Sequence, residues 1–335
     1  MVLAEGRRGG TRVSSWKFSQ ATRSGAGGPL GIAEARCALL PTPITLGVPW
    51  SAPPLVRASA PTRLDFAGAW TDVAPFATER RGVVVNAAIE LRAEAELQVG
   101  GDRYRLEAKD LAQVVEADWD VMNERDGWLD LLKAAVRIHQ LPPCRLTTRS
   151  APPPGKQDQY AAALGGFHRL DFSAAGVLVR PLAVPPAFAD WLARHIIVCY
   201  TGQSRVSSAT IGRVMARFVA REAGEVAALE GLAALGIRMA EALEAGDERE
   251  VGDLWSANWQ IQQRLDPGMQ TPVMARLEQA MADCGSLGGK AAGAGAGGTM
   301  FFVIGDDPAR AARVAAEQGS TVLPLQWAWE GVRVW

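Results

Sequence analysis

The chain has little of what marks several protein classes. Its four cysteines, Cys37, Cys144, Cys199 and Cys284, lie far apart and form no CxxC pair. That excludes a disulfide framework and a structural zinc site, and points to a reducing, cytoplasmic compartment. The three histidines, His139, His168 and His195, show no metal-ligand spacing. No apolar run reaches the length of a membrane span. A net charge of -1 over 335 residues leaves no global field to recruit nucleic acid or a membrane surface. There is no convincing internal repeat.

What remains is an ordinary globular composition, 48% hydrophobic and 21% charged, with length enough for two domains. Residues 1 to 54 stand apart. They are rich in Gly, Ser, Arg and Pro, with six basic residues against only Glu5 and Glu34. An Arg- and Ser-rich, acid-poor start can be an organelle transit peptide, but no apolar helical face is sustained. The segment reads as a disordered extension.

From Val56 the pattern becomes regular. Residues 57–68 read as a short strand pair with Leu64 and Phe66 on one side, and 69–75 as a polar turn holding Thr71 and Asp72. Residues 82–89 read as a buried strand running into a half-exposed one at 91–99, with 104–111 continuing the meander. Helical spacing from Trp128 to His139 ends at Pro142 and Pro143. A strand at 144–148 leads into Ser150-Ala-Pro-Pro-Pro154, which prolines force into a connector. A hairpin over 167–182 and a strand at 196–201 follow. Next comes a helical region from Ser207 or Ser208 to Ala245, broken near Gly224 or Gly231. Helices at 248–265 and 272–284 precede the glycine run 285–298. Strand 300–304, a helix opened by Asp307 and Pro308, and strands at 321–325 and near Val332 complete the chain. After Ile196 this is the order of a split βαβ sandwich.

Few residues carry chemistry by themselves. Asp158, beside a proline-rich connector, is a candidate general base or a helix-cap residue. Asp72 reads locally as an Asx-type turn residue. Arg63 could pair on a surface, or hold a buried carboxylate ionised. The glycine run is either a flexible loop or an anion-binding concavity built from backbone N–H groups. It has neither the Walker order nor the strand-to-helix context of a dinucleotide fold.

Four segments taken together resemble the GHMP sugar kinases, in particular the D-glycero-D-manno-heptose phosphate kinase and fucokinase-like branch. They are Ala60-Pro-Thr-Arg-Leu-Asp-Phe-Ala-Gly-Ala-Trp-Thr-Asp72, Gly155-Lys-Gln-Asp-Gln-Tyr-Ala-Ala-Ala-Leu-Gly-Gly-Phe167, Tyr200-Thr-Gly-Gln-Ser-Arg205 and Leu287 to Gly298. The resemblance covers residue 56 to the end. It implies an α+β, two-domain fold. The N-terminal domain, residues 55–185, is like the second domain of ribosomal protein S5, and the C-terminal domain, 186–335, is ferredoxin-like. It implies ATP and Mg²⁺ as cofactors and a small sugar or sugar phosphate as partner, with neither nucleic acid nor a membrane; homo-oligomerisation stays open. By residue, Asp158 would be the base that takes the proton of the attacking hydroxyl, with Arg63 beside it keeping it charged. Asp72, Thr71 and Gln157 would hold the sugar. Gly293, Gly295, Gly297 and Gly298 would lie against the nucleotide phosphates. No metal ligand is assigned.

One part of the family pattern is missing. These kinases carry a phosphate loop, P-x-G-x-G-L-G-S-S, and a helix ahead of the GKQDQ segment. Here Ser150 to Pro154 resembles the start of that loop and runs directly into Gly155-Lys-Gln-Asp158. The resemblance therefore implies an internally truncated N-terminal domain near 150–156, lacking the loop core, its helices and the acidic metal ligand. The expectation is weakened ATP binding and turnover, and a binding remnant without catalysis is the alternative.

Overall fold

The structure is a computed structural model that describes residues 2–4, 15–17, 55–125, 127, 129–149, 156–202, 208–293, 295 and 297–335. Two compact units result, Met1–Pro49 and Trp50–Trp335. In the first, β1 (Val2–Ala4) pairs antiparallel with β2 (Ser15–Lys17). The rest of that segment, and with it the expectation of disorder, lies outside the described residues.

The second unit is built on two sheets. Its elements run β3 (Leu55–Ala67), α1 (Phe76–Glu79), β4 (Gly82–Val99), β5 (Tyr104–Ala108), β6 (Gln113–Ala117), a 3-10 turn (Trp119–Asn123), α2 (Asp130–Ile138), β7 (Cys144–Arg149), α3 (Lys156–Leu164), β8 (Phe167–Ser173) and β9 (Gly176–Pro181). They continue α4 (Pro186–His195), β10 (Ile196–Tyr200), α5 (Ser208–Val219), α6 (Ala223–Ala245), α7 (Glu248–Leu265), a 3-10 turn (Pro267–Met269), α8 (Pro272–Asp283), β11 (Ser286–Ala291), β12 (Thr299–Ile304), α9 (Pro308–Glu317), β13 (Thr321–Leu323) and β14 (Arg333–Val334).

The larger sheet has eight strands in the order β14-β3-β4-β7-β5-β6, with β8 and β9 joined at β4. β4 is its axis. One edge pairs with β3 along nearly its whole length, while the other forks, Gly82–Ala87 to β8 and Glu94–Val99 to β7. The sequence shows why: Gly82 to Ile89 is buried throughout and the outer half is only partly so. The smaller sheet is antiparallel in the order β11-β12-β10-β13, and with its helices gives the ferredoxin-like order expected after Ile196.

Several expectations need correction. Residues 57–68 are one strand, not a pair; Pro61 is accommodated at a register shift against β4. The meander stops at β5, which pairs antiparallel with β6 and parallel with β7. α4, opened by Pro185 and Pro186, is an element that the sequence did not reveal. Of the two breaks read for the long helical region, the one near Gly224 is present, between Val219 and Ala223 where Arg221 is left-handed, while the chain runs unbroken through Gly231. The first half of the glycine run is strand β11, not loop. Its glycines are needed because α7 crosses it: a Cβ on Gly288 would collide with the carbonyl of Gly252.

The core spans both sheets. Phe66 of β3 is fully buried and meets Trp255 of α7 edge-on at 5.1 Å and Phe167 of β8 at 5.9 Å. Asp307, Asp247 and Thr271 cap α9, α7 and α8 through backbone N–H groups.

Candidate functional site

Arg63 is carried by β3 and Asp158 by the first turn of α3. The two meet as an ion pair, Nε to Oδ1, at 2.6 Å, with side chains only 10% and 9% exposed. Neither atom has a partner in directed hydrogen-bond geometry, so the attraction is chiefly electrostatic. Burial pushes the Asp158 carboxyl up, Arg63 pulls it back, and Asp72 and Asp65 push it up again, for a result of about 6. Arg63 works to keep the group charged, as expected, but burial and two neighbouring carboxylates outweigh it and leave the carboxyl above the ordinary range. A carboxylate at about 6 is still mostly ionised at neutral pH and basic enough to take a proton.

Asp72 is 2% exposed, so it is no solvated turn residue; its charge is felt at Asp158. Thr71 is fully buried. Its hydroxyl donates to Gly68 O at 2.7 Å and accepts from Val83 N at 3.0 Å, pinning the Gly68–Pro75 turn to β4. Gln157 lies in α3, and its side chain is outside the described residues.

The second half of the glycine run approaches the Arg63 guanidinium. Gly293, Gly295, Gly297 and Gly298 all have left-handed φ, between 73° and 109°. A Cβ on Gly293 would lie 3.7 Å from Arg63 Nη2. Two of the loop's amides turn inward: Gly293 N donates to Asp65 Oδ2 at 3.4 Å and Gly297 N to Met274 Sδ at 3.3 Å. Open space lies beside Gly298, whose carbonyl accepts from Thr201 N and Oγ1.

Polar side chains not foreseen from the sequence tie the two parts together. Gly68 N donates to Asn258 Oδ1, Asn258 Nδ2 to Gln262 Oε1, and Gln262 Nε2 to Gly293 O, at 3.1, 3.1 and 3.0 Å. Asn258 and Gln262 share one face of α7 at helical spacing, and that i, i+4 amide pair was the available signal. Asp65 and Lys290 form a second link, at zero exposure.

Known proteins share the fold that carries this site. Residues 239–321 match the family model "GHMP kinases C terminal". A crystal structure of a D-glycero-D-manno-heptose 1-phosphate kinase from Bacteroides thetaiotaomicron superposes with a TM-score of 0.63 over 84% of this chain and 98% of that one, at 22% identity. This is the GHMP-kinase fold. Among curated proteins, the D-glycero-alpha-D-manno-heptose 7-phosphate kinase of Campylobacter jejuni is 29% identical over 189 residues, 54% of this chain and 53% of that protein. The bifunctional fucokinase/GDP-fucose pyrophosphorylase of Arabidopsis thaliana is 23% identical over 328 residues, 76% of this chain and 30% of that protein. The chain thus spans about half the length of the first and under a third of the second. Among the described residues, no helix is long and apolar enough to cross a membrane.

Within the GHMP-kinase fold, Gly293 of the glycine loop lies against the Arg63 side chain that pairs with Asp158. No group of three or more His, Cys, Asp or Glu among the described residues could hold a metal ion.

Proposed function

We propose that the chain is a sugar kinase of the heptose-phosphate type, moving a phosphoryl group from ATP to a hydroxyl of a sugar or sugar phosphate. The observation that carries this is the buried Arg63–Asp158 pair, with a carboxyl at about 6, set against a loop of left-handed glycines. In this reading Asp158 takes the proton of the attacking hydroxyl, Arg63 orients that carboxylate, and Asp72, with Thr71 and Gln157 in its neighbourhood, holds the sugar. Such transfer relies on positioning and charge stabilisation more than on covalent chemistry. The glycine loop fits phosphates in part: its left-handed backbone and the space beside Gly298 admit an anion, while the amides of Gly293 and Gly297 are already committed. Mg²⁺ would arrive on the nucleotide as part of the substrate.

A second reading, a sugar- or nucleotide-binding remnant without catalysis, is favoured by one observation. Only residues 150–155 join β7 to α3, too few for a phosphate loop and helix. Beside that junction, β3, β4 and β7 leave a cavity of about 590 Å³ lined by Ala58, Ala60, Ala93, Ala95, Leu129 and Leu132. Helices absent from the chain would have covered such a face. Division into domains 55–185 and 186–335 belongs with either reading. Purified protein with Mg-ATP and heptose, heptose phosphates or fucose decides. Turnover lost in Asp158→Asn supports the kinase; neither turnover nor a thermal shift with Mg-ATP leaves only the remnant.

A further inference from the structure

Asp65 and Lys290 have no part in the reaction just described, yet they form the most deeply buried ion pair of the site. Lys290 Nζ lies 2.8 Å from Asp65 Oδ2 and 2.7 Å from Asp65 O, with both side chains at 0% exposure. It also sits 5.3 Å from the centroid of the Phe301 ring. Burial drives the Lys290 ammonium down, Asp65 draws it back up, and Arg63 pushes it down again. A buried pair of this kind is a weak source of stability, since apolar side chains of the same volume often do as well or better. Its presence calls for a different account.

The contacts supply one. Asp65 lies two residues beyond Arg63 on β3, and alternation along a strand puts both on the same face. Asp65 Oδ2 receives not only Lys290 but also the Gly293 amide. Gly293 O is held from the other side by Gln262. The first left-handed residue of the glycine loop is therefore gripped at both its N–H and its C=O, directly against the Arg63 guanidinium. Lys290 comes from β11 and Asp65 from β3, so the grip crosses from one sheet to the other.

We propose that Lys290 is a positioning residue: with Asp65 it locks Gly293 against Arg63, so that the glycine loop and the Asp158 carboxylate keep one fixed separation. The effect on turnover rests on the kinase reading; the effect on the loop does not. A weld that merely joined β3 to β11 would be replaceable by any pair of good shape, whereas a lock on Gly293 needs the carboxylate that accepts its amide.

The test is the double variant Asp65→Leu with Lys290→Met, which removes both charges and the side-chain oxygen that accepts the Gly293 amide. It is read by hydrogen exchange of the amides of 292–299 in the protein without ligand, and by kinetics. With melting close to wild type, loop exchange should rise about tenfold, the scale of one hydrogen bond to a charged group. KM for Mg-ATP should rise by a similar factor while the acceptor KM stays. Wild-type exchange in a folded double variant overturns the proposal. Should the double variant not fold, Gln262→Met frees the carbonyl side of the same peptide; faster loop exchange supports the lock and unchanged exchange overturns it. If the wild type shows no turnover, the kinase reading fails and the exchange result still decides the lock.

Discussion

The two sides of the site are built to different standards. On the carboxylate side, Asp72 and Asp158 are buried and Arg63 is held against Asp158 in a nearly buried ion pair. On the opposite side, the loop that would meet a nucleotide offers left-handed glycines of which two have already spent their amides inside the protein. Along β3 and β4, an alanine-lined cavity stands open close to where the sequence runs straight from Arg149 through six residues to Lys156. The half of such a site that is part of the core is protected by the cost of a core defect, and a half carried on surface connections is not.

The comparison can be broken most sharply at Asp158. Asp158→Asn should lower kcat by about 10²–10⁴-fold, the usual worth of a positioned base; assays against the preferred sugar check this, and unchanged kcat would move the base elsewhere. The acid limb of the wild-type pH profile should follow a group near 6, so activity at pH 5 should be about tenfold below its plateau.

Stability carries the opposite sign from that of a salt-bridged surface carboxylate. The folded-state value lies above the ordinary 3.8, so the folded state holds the proton more tightly between these limits. Stability attributable to Asp158 therefore falls as pH rises through that window, by about 3 kcal/mol in all. Denaturant unfolding of wild type and Asp158→Asn at pH 4 and pH 7 should show the variant gaining relative stability at the higher pH. No change in that difference would mean the carboxyl is not raised.

On the glycine side, Gly295→Ala places a Cβ 2.8 Å from Met269 O at a φ of +73°. It should cost about 1–2 kcal/mol in unfolding free energy and weaken nucleotide binding measured by calorimetry. The smallest effect is expected at the open face. Ala95→Val, partly buried in the cavity wall on β4, should raise stability by about 0.5 kcal/mol, through β propensity and added apolar contact. The same change in the fully buried Ala291 of β11 should destabilise, because no space awaits it. Thermal melts of the pair compare the uncovered and covered sheets directly.

Much of this was legible in the sequence where a periodic pattern is bounded by strong punctuation. α7 has the bounds its apolar spacing and Asp266-Pro267 imply, and the β8–β9 hairpin falls where two strand patterns meet across Ala174 and Ala175. β11 was hidden because its small residues answer to the backbone of α7 and not to any pattern of their own. β3 read as two pieces because Pro61 ends most strands, and only pairing reveals the register shift that admits it. Arg63 and Asp158 were readable as a pair only through the family resemblance, since 95 positions separate them. The raised carboxyl at Asp158 and the link from Asp65 to Lys290 depend on burial, which a single sequence does not display.

The forked edge of β4 has a consequence for how such a chain can change over generations. Because β7 and β8 dock on separate halves of one strand, the stretch between Arg149 and Phe167 leaves and rejoins the same ladder. Residues can be added to or dropped from that excursion without breaking a single rung on either side. The position is a natural splice point, where an ancestral gene can trade length while its scaffold stays whole.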